Sequence, residues 1–141
     1  MGKNEKALNI LADERVDKIG FGDLRLIQKP DEFCYGIDAV LLADFAASSQ
    51  TPKSKYKSIM DLGTGTGIVP IIMTYLTEAS MLLGIEIQKN SFDIAERNAI
   101  INGLENRLTF INEDIRFFDK FAGDFDAVTV NPPYTINNNG I

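Results

Sequence analysis

From residue 57 onward the chain alternates short apolar runs with longer amphipathic ones. Residues 57–62, 81–87, 108–112 and 125–130 are rich in aliphatic residues and are flanked by turn-forming ones, so each reads as a strand. Between them, residues 68–77 and the segment from Asn90 or Ser91 to Asn102 read as helices. Asn90 or Ser91 can cap the second helix, and Gly103 is its natural stop. Residues 115–121 read as a short helix or turn. Strands that alternate with helices of this length predict right-handed βαβ units, hence an α/β fold with a parallel sheet and flanking helices.

Upstream the pattern is less regular. Residues 3–18 alternate apolar and charged positions loosely, which predicts a short N-terminal helix. Leu24-Arg25-Leu26-Ile27 and Phe33-Cys34-Tyr35 flank Lys29-Pro30-Asp31, which predicts two short strands around a turn. Asp38 can N-cap residues 39–47, whose all-round apolar character predicts a buried helix. At the other end, only eleven residues follow the strand at 125–130, several of them asparagines. A strand as apolar as Ala127-Val128-Thr129-Val130 belongs inside a sheet. The expectation is therefore a sheet whose last strands are missing from this chain.

Length and composition narrow the class. The chain has 141 residues, 45% hydrophobic and 24% charged, which suits one globular domain. Its apolar runs fall far short of the roughly 20 residues a membrane span needs. Residues 1–17 are charged throughout, unlike a signal peptide, and Lys6 stands where a myristoylation signal requires Ser or Thr. The expectation is a cytoplasmic protein. Histidine is absent, which removes Ser-His-Asp and Cys-His catalysis and most zinc and non-haem iron sites; no metal is expected. Cys34 is the single cysteine, so there is no internal disulfide. The net charge is −6, with the excess acid in residues 61–141. That balance weighs against nucleic-acid binding, which relies on Lys and Arg. Lys53, Lys55 and Lys57 form a small basic cluster that reads first as a solvated loop.

Three features carry chemistry. Asp61-Leu62-Gly63-Thr64-Gly65-Thr66-Gly67 follows a strand and opens a helix. Closely spaced glycines let the backbone turn sharply and approach a ligand, with helix N–H groups facing it. The spacing differs from the G-x-G-x-x-G of dinucleotide binders, and no P-loop lysine is present. Glu86 ends the second strand, 19 residues after Gly67, where a Rossmann-like fold places an acid that accepts ribose hydroxyls. Asp114 ends the third strand in the equivalent place and, with Ile115, could flank an adenine ring.

The third feature is Asn131-Pro132-Pro133-Tyr134 after the fourth strand. An exocyclic amine on adenine is a poor nucleophile because its lone pair is delocalised into the ring. Two acceptors on its N–H groups draw the nitrogen towards tetrahedral geometry and aim the lone pair at a methyl donor. Asn131 offers a side-chain carbonyl. Pro132 offers a backbone carbonyl that Pro133 keeps directed by holding residue 132 extended. Tyr134 offers a stacking face, worth roughly 1–3 kcal/mol per base in comparable sites. No strong base is needed. Methylation at carbon would instead require a nucleophilic cysteine, and Cys34 lies in a different element.

Taken together, residues 61–67, Glu86, Asp114 and Asn131-Pro132-Pro133-Tyr134 resemble the class I S-adenosylmethionine (AdoMet) methyltransferases in order and spacing. The tetrapeptide resembles the amino-methyltransferase signature. Residues 13–17, 26–28 and 33–46 further resemble the bacterial tRNA(Val) adenine-N6 methyltransferases. The resemblance implies a Rossmann-like fold in which residues 57–141 form the AdoMet-binding core and residues 1–56 cap the cofactor site, in one structural domain. It implies AdoMet as cofactor, held by Asp61, Gly63, Thr64, Gly65, Gly67, Glu86, Ile87, Asp114, Ile115 and Asn131, with Gly36 and Asp38 near its methionine end. Asn131, Pro132 and Tyr134 would be catalytic, and an adenine in tRNA the acceptor. Glutamine-N5 methylation of a protein and guanine-N2 methylation of RNA remain alternatives, as does an AdoMet-binding fragment without activity. The oligomeric state stays open.

Overall fold

A computed structural model of the chain describes residues 9–32, 34–49, 55–117 and 123–133. Strands β3 (Ser58–Leu62), β4 (Met81–Glu86), β5 (Leu108–Asn112) and β6 (Ala127–Val130) form one parallel sheet in the order β5-β4-β3-β6. Preceding them are strands β1 (Arg15–Lys18) and β2 (Arg25–Gln28) and helix α1 (Ile37–Ser48); helices α2 (Ile68–Leu76) and α3 (Lys89–Ile101) connect β3 to β4 and β4 to β5. All four core strands predicted from the apolar runs are present. Their register aligns Leu62 with Ile85 and Val130, and Glu86 with Asn112, so the C-terminal ends share one edge. The chain leaves β3 towards β4 and β5 and returns to its other side as β6. A ligand crevice in open α/β sheets opens at such a reversal of strand order.

Four expectations for the N-terminal part are corrected. Residues 15–18, expected in a helix, form β1 and pair antiparallel with β2, Val16 facing Ile27; residues 9–14 carry no helix, and residues 1–8 lie outside the described residues. The burial of Leu26 and Ile27 drives this pairing, because an isolated β2 would leave its backbone groups unpaired. The partner of β2 is therefore β1, not residues 33–35. Cys34 and Tyr35 belong to no strand, and Phe33 lies outside the described residues. There Gln28 Oε1 accepts from the Tyr35 N–H at 3.3 Å, guiding the chain towards α1.

Helix α1 is not buried all round. Ala39, Ala43 and Ala47 form its buried face, while Ile37, Leu41 and Phe45 are 71%, 60% and 74% exposed. Alanine at every fourth position lets α1 approach α2 closely and turns the bulkier side chains outward. Its N-cap is Gly36 with no side-chain cap, so Asp38 sits inside the first turn.

Helix α2 is buried on nearly every side from Ile68 to Thr74 and forms the centre of the main core with Ile59, Leu82, Leu108 and Phe110. Pro70 is tolerated because first-turn N–H groups have no helical acceptor. Helix α3 begins after Gln88, again without a side-chain cap, so neither Asn90 nor Ser91 caps it. It ends as expected: Gly103, at φ +64°, donates to Ile100 O, and the Leu104 N–H reaches Ala99 O.

Asn98 in α3 and Asn102 at its C-cap bind the hairpin to that helix. Asn98 Oδ1 accepts from the Ile27 N–H at 2.6 Å, and Asn102 Oδ1 accepts from the Arg25 N–H at 2.9 Å. One helical turn between them rises about 6 Å, close to the two-residue rise of a strand, so both rungs fit. Asn98 Nδ2 also donates to Thr66 O at 2.9 Å, joining the hairpin to the glycine turn. At the far side, Asp126 Oδ2 accepts from the N–H groups of Lys57 and Ser58, which seats β6 beside β3 and holds the Asp126 carboxyl below its usual range. Among the described residues no helix is long and apolar enough to cross a membrane.

Candidate functional site

The glycine turn at the end of β3 has the backbone its sequence demands. Gly63, Gly65 and Gly67 take φ of +64°, +60° and +89°, a region that other residues rarely enter. Open space lies where a Cβ would stand on Gly63 and Gly65. Gly67 has a further reason to be glycine, and Gly84 shares it: a Cβ would lie 2.6 Å and 2.5 Å, respectively, from the Phe110 ring, which wedges beneath the turn. The turn is tied across to β4 by the Thr64 N–H on Ile85 O at 2.9 Å.

Glu86 ends β4 as expected and is 7% exposed. Its Oε2 accepts from the Gly65 N–H and its Oε1 from the Gln88 N–H, both at 2.8 Å. The carboxylate thereby clamps the glycine turn to the start of α3. Each oxygen keeps a lone pair for a further donor such as a ribose hydroxyl.

Asp61 lies beneath the turn, 2% exposed. Burial raises its pKa from 3.8 to about 6, against the opposing effect of Thr129, whose Oγ1 donates to Asp61 Oδ1 at 2.7 Å, and of nearby Thr64; the Glu86 charge adds to the rise. Thr64 Oγ1 is itself buried without a hydrogen bond of ordinary geometry. A buried acid and open backbone at Gly63 and Gly65 fit a polar, cationic ligand laid along the turn.

Asp114 stands two residues beyond β5 rather than at its end, where the strand closes on Asn112. It forms a two-pronged ion pair with Arg116, which holds its carboxyl below the usual range. Asn112 Nδ2 donates to Glu86 O and Ile87 O, fixing the loop that follows β4. Ile87 and Ile115 are both exposed, two aliphatic side chains left uncovered on loops of one sheet edge.

Asn131 follows β6 directly, and its Nδ2 donates to Asp38 Oδ2 at 3.0 Å. Gly36, Asp38 and Asn131, remote in sequence, are thus neighbours. Pro132 is exposed next to Asn131, and Tyr134 lies outside the described residues. An open groove of about 640 Å³ runs between the hairpin and the start of α1, reaching Gly36 and Ile37 past Arg15, Lys18 and Tyr35. Sequence reasoning missed Thr129 and Asn98. Thr129 reads as an ordinary β-branched strand residue, and only the pairing of Asp61 with Thr129 across β3 and β6 reveals its role. Lys55 and Lys57 are exposed, and Lys53 lies outside the described residues. Among the described residues no group of three or more His, Cys, Asp or Glu side chains could hold a metal ion.

A glycine turn after the first sheet strand, an acid ending the second and Asn-Pro-Pro after the strand on the opposite flank define a Rossmann-like α/β methyltransferase domain. Comparison with known proteins agrees: the chain belongs to the methyltransferase small domain family, whose model matches residues 27–140. It is 33% identical over 97 residues to the tRNA1(Val) (adenine(37)-N6)-methyltransferase of Glaesserella parasuis, covering 69% of this chain and 39% of that protein. It is 31% identical over 91 residues to the release factor glutamine methyltransferase of Chlorobaculum tepidum, covering 62% of this chain and 31% of that protein. Among solved structures, the plantazolicin methyltransferase BpumL in complex with SAH superposes with a TM-score of 0.53 at 26% identity, over 66% of this chain and 35% of that one. The chain thus spans well under half the length of each of these proteins. The Glaesserella relative is named for methylation at adenine N6 and the Chlorobaculum relative for methylation of glutamine, and the family depends on AdoMet.

Proposed function

We propose that this chain is the cofactor-binding and acceptor-orienting part of a cytoplasmic AdoMet-dependent methyltransferase that methylates the exocyclic N6 of adenine in a tRNA. The observation that carries the reading is Asn131 at the end of β6, with its amide nitrogen engaged by Asp38 and its carbonyl oxygen without a partner among the described residues. AdoMet supplies a methyl group on a positively charged sulfur, which departs as a neutral thioether. The residues that would hold it are those of the glycine turn, with Asp61 and Thr64 beneath, Glu86 for the ribose, and Ile87, Asp114 and Ile115 for the adenine.

The protein's own part is orientation. Asn131 Oδ1 and Pro132 O accept the two N–H groups of the acceptor amine, so its lone pair is aimed along the line of transfer; as the N–C bond forms and the C–S bond breaks, the nitrogen becomes cationic and gives up one of these protons to solvent water. Positioning of this kind supplies about 7–11 kcal/mol of a barrier. Support for tRNA comes from the resemblance of residues 13–17, 26–28 and 33–46 and from the Glaesserella relative; an exposed loop base also avoids the cost of opening a duplex.

A second reading, N5 methylation of a protein glutamine, is supported by the Chlorobaculum relative, because a primary amide offers the same two N–H groups. Incubation with AdoMet and either unmodified tRNA or release factor, followed by mass spectrometry of nucleosides and peptides, separates the two. N6-methyladenosine supports the first reading; methylglutamine with unmodified tRNA overturns it.

A further inference from the structure

We propose that Asp38 is a positioning residue for methyl transfer, holding the Asn131 amide in the one orientation that presents its carbonyl oxygen to the acceptor nitrogen. The inference rests on the nitrogen-methyltransferase reading above and gives Asp38 a role other than contact with the cofactor. A side-chain amide has nearly the same shape after a half-turn, so Asn131 could offer either oxygen or N–H groups to a substrate. A carboxylate accepts hydrogen bonds and does not donate them. The end of Asn131 that faces Asp38 is therefore the NH₂, at 3.0 Å, and Oδ1 is left without a donor among the described residues. The reversed amide would set N–H against the N–H of an incoming amine. A bond to a charged acceptor also draws electron density towards Oδ1 and strengthens it as an acceptor.

Two features show that the carboxylate is placed for this contact. Asp38 does not cap α1, whose N-cap is Gly36 without a side-chain bond. A Cβ on Gly36 would lie 2.6 Å from Asp38 Oδ1, so glycine there leaves room for the rotamer that reaches Asn131. The first turn of a helix also favours an acid.

The test joins a spectroscopic and a kinetic readout on the same chain. In ¹⁵N spectra, the Asn131 side-chain amide pair, assigned by its loss in Asn131→Ala, is expected to shift on Asp38→Ala while backbone resonances of the main core stay in place. In tRNA methylation, Asp38→Ala is expected to lower kcat by about 10- to 100-fold and to change AdoMet affinity less than twofold. Asp38→Asn, which keeps an acceptor oxygen but permits the reversed pair, falls between. Adding Asp38→Ala to Asn131→Ala is expected to cost nothing further. AdoMet affinity that falls in step with kcat would make Asp38 a cofactor ligand and overturn the inference, as would additive losses in the double variant. A wild-type chain that methylates neither tRNA nor release factor counts against the nitrogen-methyltransferase reading. In that sample, Asn131 resonances indifferent to Asp38→Ala overturn the positioning role by themselves.

Discussion

Replacing Asp61 with asparagine should change how stability depends on pH more than it changes the fold. Asn keeps the Oδ1 acceptor that Thr129 uses and fills nearly the same volume, so the substitution removes chiefly the titration. Burial raises the Asp61 pKa from 3.8 to about 6. Below pH 3.8 both folded and unfolded chains hold the proton, and the raised pKa costs nothing. Between about 4 and 6 the folded chain keeps a proton that the unfolded chain has lost, so stability falls as pH rises. At 1.36 kcal/mol per unit, a shift of about two units amounts to about 3 kcal/mol. Unfolding in urea, followed by circular dichroism from pH 4.0 to 7.5, measures it. Wild type should lose about 2.5 kcal/mol relative to Asp61→Asn across that range, because the unfolded carboxyl is already partly ionised at pH 4.0. Parallel curves would refute the buried, charge-penalised carboxyl, and a wild type that gained on the variant with rising pH would reverse its sign. If Asp61 holds the cationic cofactor, AdoMet affinity should also rise through pH 6 in wild type and stay flat in the variant.

The remaining predictions are each tied to one contact. Glu86→Ala should weaken AdoMet by roughly 1.5–3 kcal/mol, the scale of a charge-assisted hydrogen bond, and loosen the turn held through Gly65; an unchanged Kd in calorimetry would sink the ribose role. Asn131→Ala should abolish transfer while leaving AdoMet affinity largely intact, and equal loss of both would show the acceptor role to be wrong. Asn98→Ala strands the Ile27 N–H and Thr66 O, each costing about 1–3 kcal/mol, so thermal unfolding should reveal one of the largest losses of any polar substitution outside the turn. Gly84→Ala drives a methyl into Phe110 and should cost about 1–3 kcal/mol, partly recovered when Phe110→Leu is added; no recovery would place the strain elsewhere.

The centre of the sheet was legible in the sequence because its two middle strands are buried on both faces. Strands such as Ser58–Leu62 and Met81–Glu86 then read as apolar runs whatever their neighbours, and the glycine turn and Gly103 announce backbone that few other residues adopt. The N-terminal part was not legible in the same way. Arg15–Lys18 has no intrinsic reason to be extended, and it becomes a strand only because β2 needs a partner and α3 supplies asparagine rungs to the other side of that hairpin. The exposed face of α1 was hidden too, since Ile37, Leu41 and Phe45 differ from core residues only in where α2 lies.

The site divides along the same line. Local sequence determined Asp61, the glycines, Glu86 and Asn131, because each requirement is met within a strand end and the turn after it. Tertiary structure alone decided that Thr129 donates to Asp61, that Phe110 supports Gly67 and Gly84, and that Asp38 meets Asn131 across 93 positions. A parallel sheet makes this division unavoidable: adjacent strands are joined by long crossovers, so groups that touch at its C-terminal edge are far apart in the chain.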